Sequence, residues 1–252
     1  MNYAKLMAQA TQLRTELGED SLSPVDIIAL AQTIDKLTIV YYPFGEKVSG
    51  MCIKGQKGKS LIAINSAMTL GRQRFSLAHE FYHLYFDNSM VSICSMLLNA
   101  NKGIEKEADI FASYFLMPEA ALFLRAKKIL EENKTTKLSL SDVIKIEQYF
   151  GLSHQATIYR LMHTPLLRDE DGDLFLSISV RSKAESLGYS SALYEPAPKS
   201  KQFMTYGHYI KQVEDSFENN LISQGKYEEL LIDAFRSDLV YGNEEEEETI
   251  ID

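Results

Sequence analysis

Residues 37–65, LTIVYYPFGEKVSGMCIKGQKGKSLIAIN, decide how this chain folds. Three runs within them, Leu37 to Phe44, Val48 to Lys54 and Ser60 to Asn65, are rich in Ile, Val and Tyr and are parted by short Gly/Lys segments. That pattern predicts a small three-stranded antiparallel meander. On both sides the apolar period changes to helical. Upstream, Ala4, Leu6, Met7, Ala10 and Leu13 share one helix face that Gly18 ends, and Ser23-Pro24 reads as N-cap and first turn of a second helix reaching about Asp35. Downstream, residues 69–86 and 104–117 are helical in period, and Pro118 ends one helix and opens the next. Strands grouped together between groups of helices predict an α+β domain with the sheet packed on helices, not an alternating parallel sheet.

Beyond these, Leu140 to Phe150 and Ser153 to His163 flank Gly151 as a helical pair, a shape common to helix-turn-helix units and plain hairpins. The charged break Arg168 to Gly172 sets a boundary near residue 166, so 1–165 is expected to form the main domain. Residues 166–243 are expected to form a smaller α/β region concerned with recognition or regulation. In it, Leu174 to Val180 alternates like a strand, residues 197–201 form a loop, and 206–221 and 225–239 are helical. Residues 244–252, with their run of glutamates, are expected to be an acidic disordered tail.

Composition narrows the chemistry. The 252 residues are 45% hydrophobic and 24% charged, enough to build a core without disulfide or metal staples, so any metal serves function rather than folding. The net charge is −9, five of the negatives lying in Glu244 to Glu248, which argues against a general polyanion binder. Cys52 and Cys94 lack C-x-x-C spacing and suggest neither a disulfide framework nor a thiolate zinc site. No signal pattern opens the chain and no apolar run would span a bilayer, so a cytoplasmic location is expected.

The chemistry concentrates in His79-Glu80-Phe81-Tyr82-His83, an H-E-x-x-H motif inside the 69–86 helix. Helical geometry puts residues four apart on one face, so both imidazoles reach one ion, and Glu80, one position round, is placed to take a proton from water without having to ligate. The competing reading is a pair of hydrogen-bonded core histidines. It is disfavoured because Phe75, Leu77, Ala78, Phe81, Leu84 and Phe86 make this a core helix, where two His and a Glu are costly to bury without a partner.

A catalytic zinc site needs a third protein ligand. Glu105 and Asp109 share a helix face, beginning 22 residues after His83, with Glu107 expected to point nearly opposite, towards solvent. Glu105 is the candidate ligand, and Asp109 the carboxylate that orients a ligand histidine, His79 first. Two imidazoles with a carboxylate suit zinc, with manganese as the alternative. Tyr82, Tyr85, Tyr114 and His154 are candidates to stabilise an oxyanion, each equally a packing residue, and Arg72 and Arg74 are candidates to orient acids around the site or to form helix-face ion pairs.

Ile64-Asn-Ser-Ala67, Arg72-Gln-Arg-Phe-Ser-Leu-Ala-His-Glu80 and Glu105-x-x-Ala-Asp109-x-Phe-Ala-x-x-Phe-Leu-Met-Pro118 together closely resemble the ImmA/IrrE family of bacterial metallopeptidases, over roughly residues 5–165. The stretch from Val213 to Arg236 resembles the tail of some members more loosely. The resemblance implies a gluzincin-like fold with His79, His83 and Glu105 on the metal and Glu80 as general base. It implies as substrate a helix-turn-helix (XRE-type) transcriptional repressor, whose cleavage derepresses mobile-element or stress genes. Asp109 departs from the Asn of many relatives, which alters the charge of the site.

Two other functions compete. A regulatory module could hold metal without hydrolysis, as an antitoxin or adaptor does, but it would have no need of Glu80. Direct DNA binding through the 140–163 pair is disfavoured because its second helix carries only Arg160 as a fixed cation.

Overall fold

The computed structural model describes residues 1–45, 47–95 and 102–242. It is α+β, as the grouping of elements predicts. The helices are α1 (Tyr3–Glu16), α2 (Ile27–Thr33), α3 (Leu70–Phe86), α4 (Lys102–Leu116), α5 (Glu119–Asn133), α6 (Leu140–Phe150), α7 (His154–Met162), α8 (Asp169–Leu176), α9 (Val180–Ser186), α10 (His208–Glu218), α11 (Gln224–Asp233) and α12 (Ser237–Tyr241). The strands are β1 (Leu37–Tyr42), β2 (Val48–Lys54), β3 (Ser60–Asn65), β4 (Val91–Ser95) and β5 (Met204–Gly207).

The sheet departs from the predicted meander. It has five strands in the order β4-β2-β3-β1-β5, and β3 lies between β1 and β2. β1 and β3 run parallel, whereas the β2–β3, β2–β4 and β1–β5 pairs are antiparallel. β1 and β3 supply the most apolar strands, Ile39, Ile62 and Ile64 being fully buried, and they take the centre of the sheet, where both edges are paired.

Two further expectations change. Ser23 does not cap α2: the Asp26 carboxylate accepts from the Ile28 and Ala29 amides, and the Ser23 carbonyl instead accepts from Arg14. Residues 174–180 are not a strand. Asp169, Glu170 and Asp171 fill the first turn of α8, where carboxylates favour a helix start, and α8 carries the chain through Leu176. The region beyond residue 166 is therefore mainly helical among the described residues, and the one strand described there, β5, completes the sheet of the preceding part by pairing with β1. The expected tail at 244–252 lies outside the described residues.

α3 lies along β2 and β3, α4 packs on α3, and α1 on α4. Leu77, Ala78, Phe81, Phe111, Ala112 and Phe115 fill the α3–α4 seam, all fully buried. Arg14, also buried, ties the layers together by donating to the carbonyls of Asp20, Ser23 and Phe115, the last at the C-terminal end of α4, where a cation offsets unpaired carbonyls. The entry of α3 is fixed by polar side chains. Gln73 Nε2 donates to the carbonyls of Ser66 and Met68, and Asn65 Nδ2 to those of Gly45 and Val48, so the β3–α3 turn is held from both sides. Among the described residues no helix is long and apolar enough to cross a membrane.

Candidate metal centre

α3 presents His79 and His83 to the first turn of α4, which carries Glu105. His79 Nε2 is 3.2 Å from Glu105 Oε2 and 3.2 Å from His83 Nε2, and His83 Nε2 is 3.6 Å from Glu105 Oε1. Three donors bonded to one tetrahedral ion at about 2.0–2.1 Å would lie about 3.3–3.4 Å apart. The imidazole–imidazole separation has that size, and each imidazole faces a different oxygen of the Glu105 carboxylate at a comparable distance. Each imidazole is oriented by a carboxylate on its far nitrogen: His79 Nδ1 is 2.9 Å from Asp109 Oδ1, and His83 Nδ1 is 3.0 Å from Asp87 Oδ2. Such partners fix the tautomer that leaves Nε2 free to ligate.

Glu80 occupies the fully buried side of α3, and neither of its carboxylate oxygens has a hydrogen-bond partner. It fits only because residue 50 is glycine: a Cβ there would lie 2.7 Å from Glu80 Oε1. Burial pushes the Glu80 carboxyl up to about 7. Burial also opposes charge on His79, yet its contacts with Asp109, Cys94 and Glu105 prevail and raise it well above the ordinary imidazole range. His83 is lowered, by burial first and by its neighbour His79. An unpartnered carboxylate beside three converging lone-pair donors is costly unless a cation shares the space. The donor set therefore fits a divalent metal, with His79, His83 and Glu105 to hold it.

A cavity of about 620 Å³ opens onto His79 and Glu105, lined also by Arg72, Tyr114, Cys94 and Asp109, while Glu80 and His83 lie behind its wall. Of the four candidate oxyanion residues only Tyr114 lines it. The Tyr82 hydroxyl donates to Glu107 at 2.7 Å, so Glu107 faces a core tyrosine rather than solvent. Tyr85 packs on Phe81 and Phe86. His154 is bound to Glu147 and to the Phe175 carbonyl. Arg74 is a clamp, donating to Asp26 and to the Val25 carbonyl, while Arg72 reaches Gln155 across the cavity mouth.

Two residues escaped the sequence reading. Asp87 sits four positions after His83, a helical spacing that could have flagged it. Cys94 had no such signal. Its Sγ, with ligand atoms of His79, His83 and Glu105, forms a group all within 4.8 Å of one another. The expectation that the cysteines offer no thiolate to a metal site is corrected to that extent: no pair forms, but β4 carries a single thiol into the centre through its pairing with β2.

A sheet-backed helix bearing this donor set has the form of a metallopeptidase centre. The family model of the IrrE N-terminal-like domain, peptidase family M78, matches residues 36–162, and the chain belongs to that family. No curated protein matches the chain significantly. The match begins just before β1 and ends at the close of α7, so it takes in both α3 and α4.

Proposed function

We propose that the chain is a zinc-dependent endopeptidase, acting in the cytoplasm, whose substrate is a helix-turn-helix (XRE-type) repressor and whose cut derepresses mobile-element or stress genes. The observation that carries the hydrolytic reading is Glu80, buried without a partner next to the His79–His83–Glu105 triangle. A divalent cation held by His79, His83 and Glu105 would supply Lewis acidity for water activation and carbonyl polarisation. Glu80 takes the proton of the attacking water and gives it to the leaving amine, a task suited to a carboxyl whose pKa burial brings to about 7. Asp109 and Asp87 keep both imidazoles aimed. Tyr114, on the cavity wall, is the residue placed to meet the substrate. Direct DNA reading by α6 and α7 finds no support, because Arg160 is buried, stacked 4.3 Å from the Tyr114 ring centroid and 3.6 Å from Glu119. Both cysteines are unpaired, which suits a reducing compartment.

The test is a cleavage assay on purified helix-turn-helix (XRE-type) repressors. Wild type is expected to cut at one or a few sites, and Glu80→Gln to retain metal and cut nothing. Intact repressor with metal-loaded wild type would reject the substrate, and cutting by Glu80→Gln would reject the mechanism. Cys94 favours one second reading, a closed site that holds metal without hydrolysis, since four protein ligands mark structural rather than catalytic zinc.

A further inference from the structure

β4 is an edge strand of the sheet, paired among the described residues only with β2. From Val91 to Cys94 its side chains point alternately to the two faces. Val91 and Ile93 are exposed on the outer face, and Cys94 is buried on the face toward α3. The β2–β4 ladder is irregular at this point: Gly50 pairs with Cys94 but Val48 with Ser95, leaving Ser49 as a bulge, and the Ser49 hydroxyl donates to the Cys94 carbonyl at 3.2 Å. A bulge bends a strand and re-aims the neighbouring side chain. Here it sets Cys94 opposite Gly50, the residue whose missing side chain admits the Glu80 carboxylate.

Resting on the metal-site reading above, we propose that Cys94 Sγ is a fourth, displaceable ligand of the metal, so that the resting protein is a closed His79–His83–Glu105–Cys94 site and catalysis requires Cys94 to leave. Sγ lies within 4.8 Å of each of the other ligand atoms, and a thiolate on a tetrahedral ion would sit about 3.6 Å from nitrogen or oxygen ligands, so a shift of about 1 Å in β4 closes the set. On ligation the S–H bond breaks, its proton passes to solvent, and the sulfur lone pair bonds the cation; no electron changes hands. Two observations make this a latch rather than a permanent structural site. Glu80 remains buried and unpartnered at the same point, a cost that a permanently closed site would have no use for. And Cys94 is carried by a five-residue strand that, among the described residues, is paired along one edge alone, so it can shift without breaking a second ladder.

The probe is Co2+ added to the metal-stripped, full-length protein. Wild type and Cys52→Ser should bind one ion and show the near-ultraviolet thiolate-to-cobalt charge-transfer band. Cys94→Ser should still bind cobalt, lose that band, and shift its visible spectrum on adding azide, which the closed wild-type site resists. Stoichiometric cobalt in wild type without the band overturns the proposal and leaves the three-ligand site standing, and this result needs no variant to fold. No cobalt bound at all overturns both.

Discussion

Glu80 and Glu147 are both completely buried, and their surroundings are opposite. Glu147, on α6, has each oxygen engaged: Oε1 accepts from the Tyr194 hydroxyl at 2.7 Å, and Oε2 lies 2.9 Å from His154 Nδ1. His154 in turn spends Nε2 on the Phe175 carbonyl, so that cluster is closed and ties α6 to α7, to the end of α8 and to the turn that carries Tyr194. Glu80 has no partner, and the histidines beside it point their free nitrogens at each other and at Glu105. The same residue types have their lone pairs spent within the fold in one cluster and left open to a ligand in the other. Composition and spacing do not distinguish the two; the hydrogen-bond inventory does.

The sharpest way to break the comparison is to neutralise each glutamate. Glu80→Gln is expected to lower the cleavage rate by about 10²–10⁴-fold with metal content unchanged, read by single-turnover kinetics. Glu147→Gln is expected to do the reverse, costing about 1–3 kcal/mol of stability in a denaturant titration while leaving the rate per folded molecule alone. Equal losses of rate in both would erase the distinction.

The orienting carboxylates should show a smaller effect. Asp109→Ala leaves His79 in place without its Nδ1 partner, and metal affinity is expected to fall by about 10–100-fold in a competition titration with a chelating dye. An unchanged affinity would mean that Asp109 is only a solvated acid.

Gly50→Ala probes the space that Glu80 uses. The new methyl would meet the flexible end of Glu80 at 2.7 Å and the Ala63 carbonyl of β3 at 3.2 Å, so the carboxylate moves most and the strand gives by only a few tenths of an ångström. Displacement by about 1 Å costs up to about a hundredfold in rate, with the thermal midpoint little changed. A wild-type rate would show that the position of Glu80 is not critical.

The smallest effect is a pH dependence of the closed cluster. Burial opposes charge on His154, but Glu147 and the Phe175 carbonyl raise its pKa above the ordinary 6.5. A folded-state pKa above the unfolded one means that its stabilisation is complete below about pH 6.5 and fades as pH rises through the folded value. Stability of wild type should therefore decline across that window, and His154→Gln should flatten the slope. A slope that persists in the variant would assign it elsewhere.

How much of this was legible in the sequence follows the same division between local and distant interactions. α3, α4 and α6 announce themselves by period, and His79, Glu80, His83, Glu105 and Asp109 can be singled out as candidates because helical spacing is a local rule. Sheet order is not local. Nothing in residues 37–65 tells that β3 inserts between β1 and β2, because that choice is made by what packs on either side. β5 is four residues long and gains its identity only from its pairing with β1. Residues 174–180 alternate as a strand does, and only the acid-filled turn before them reveals a helix. Cys94 was hidden for the same reason as the sheet order: it reaches the centre by strand pairing, across a bulge, from a segment with no motif.

The central claim is that His79, His83 and Glu105 enclose one catalytic cation, and elemental mass spectrometry tests it most directly on wild type, His83→Ala and Glu105→Ala purified alike. One metal per chain in wild type and a large loss in both variants is the predicted result. Wild type that holds no metal after reconstitution with zinc or manganese would contradict it.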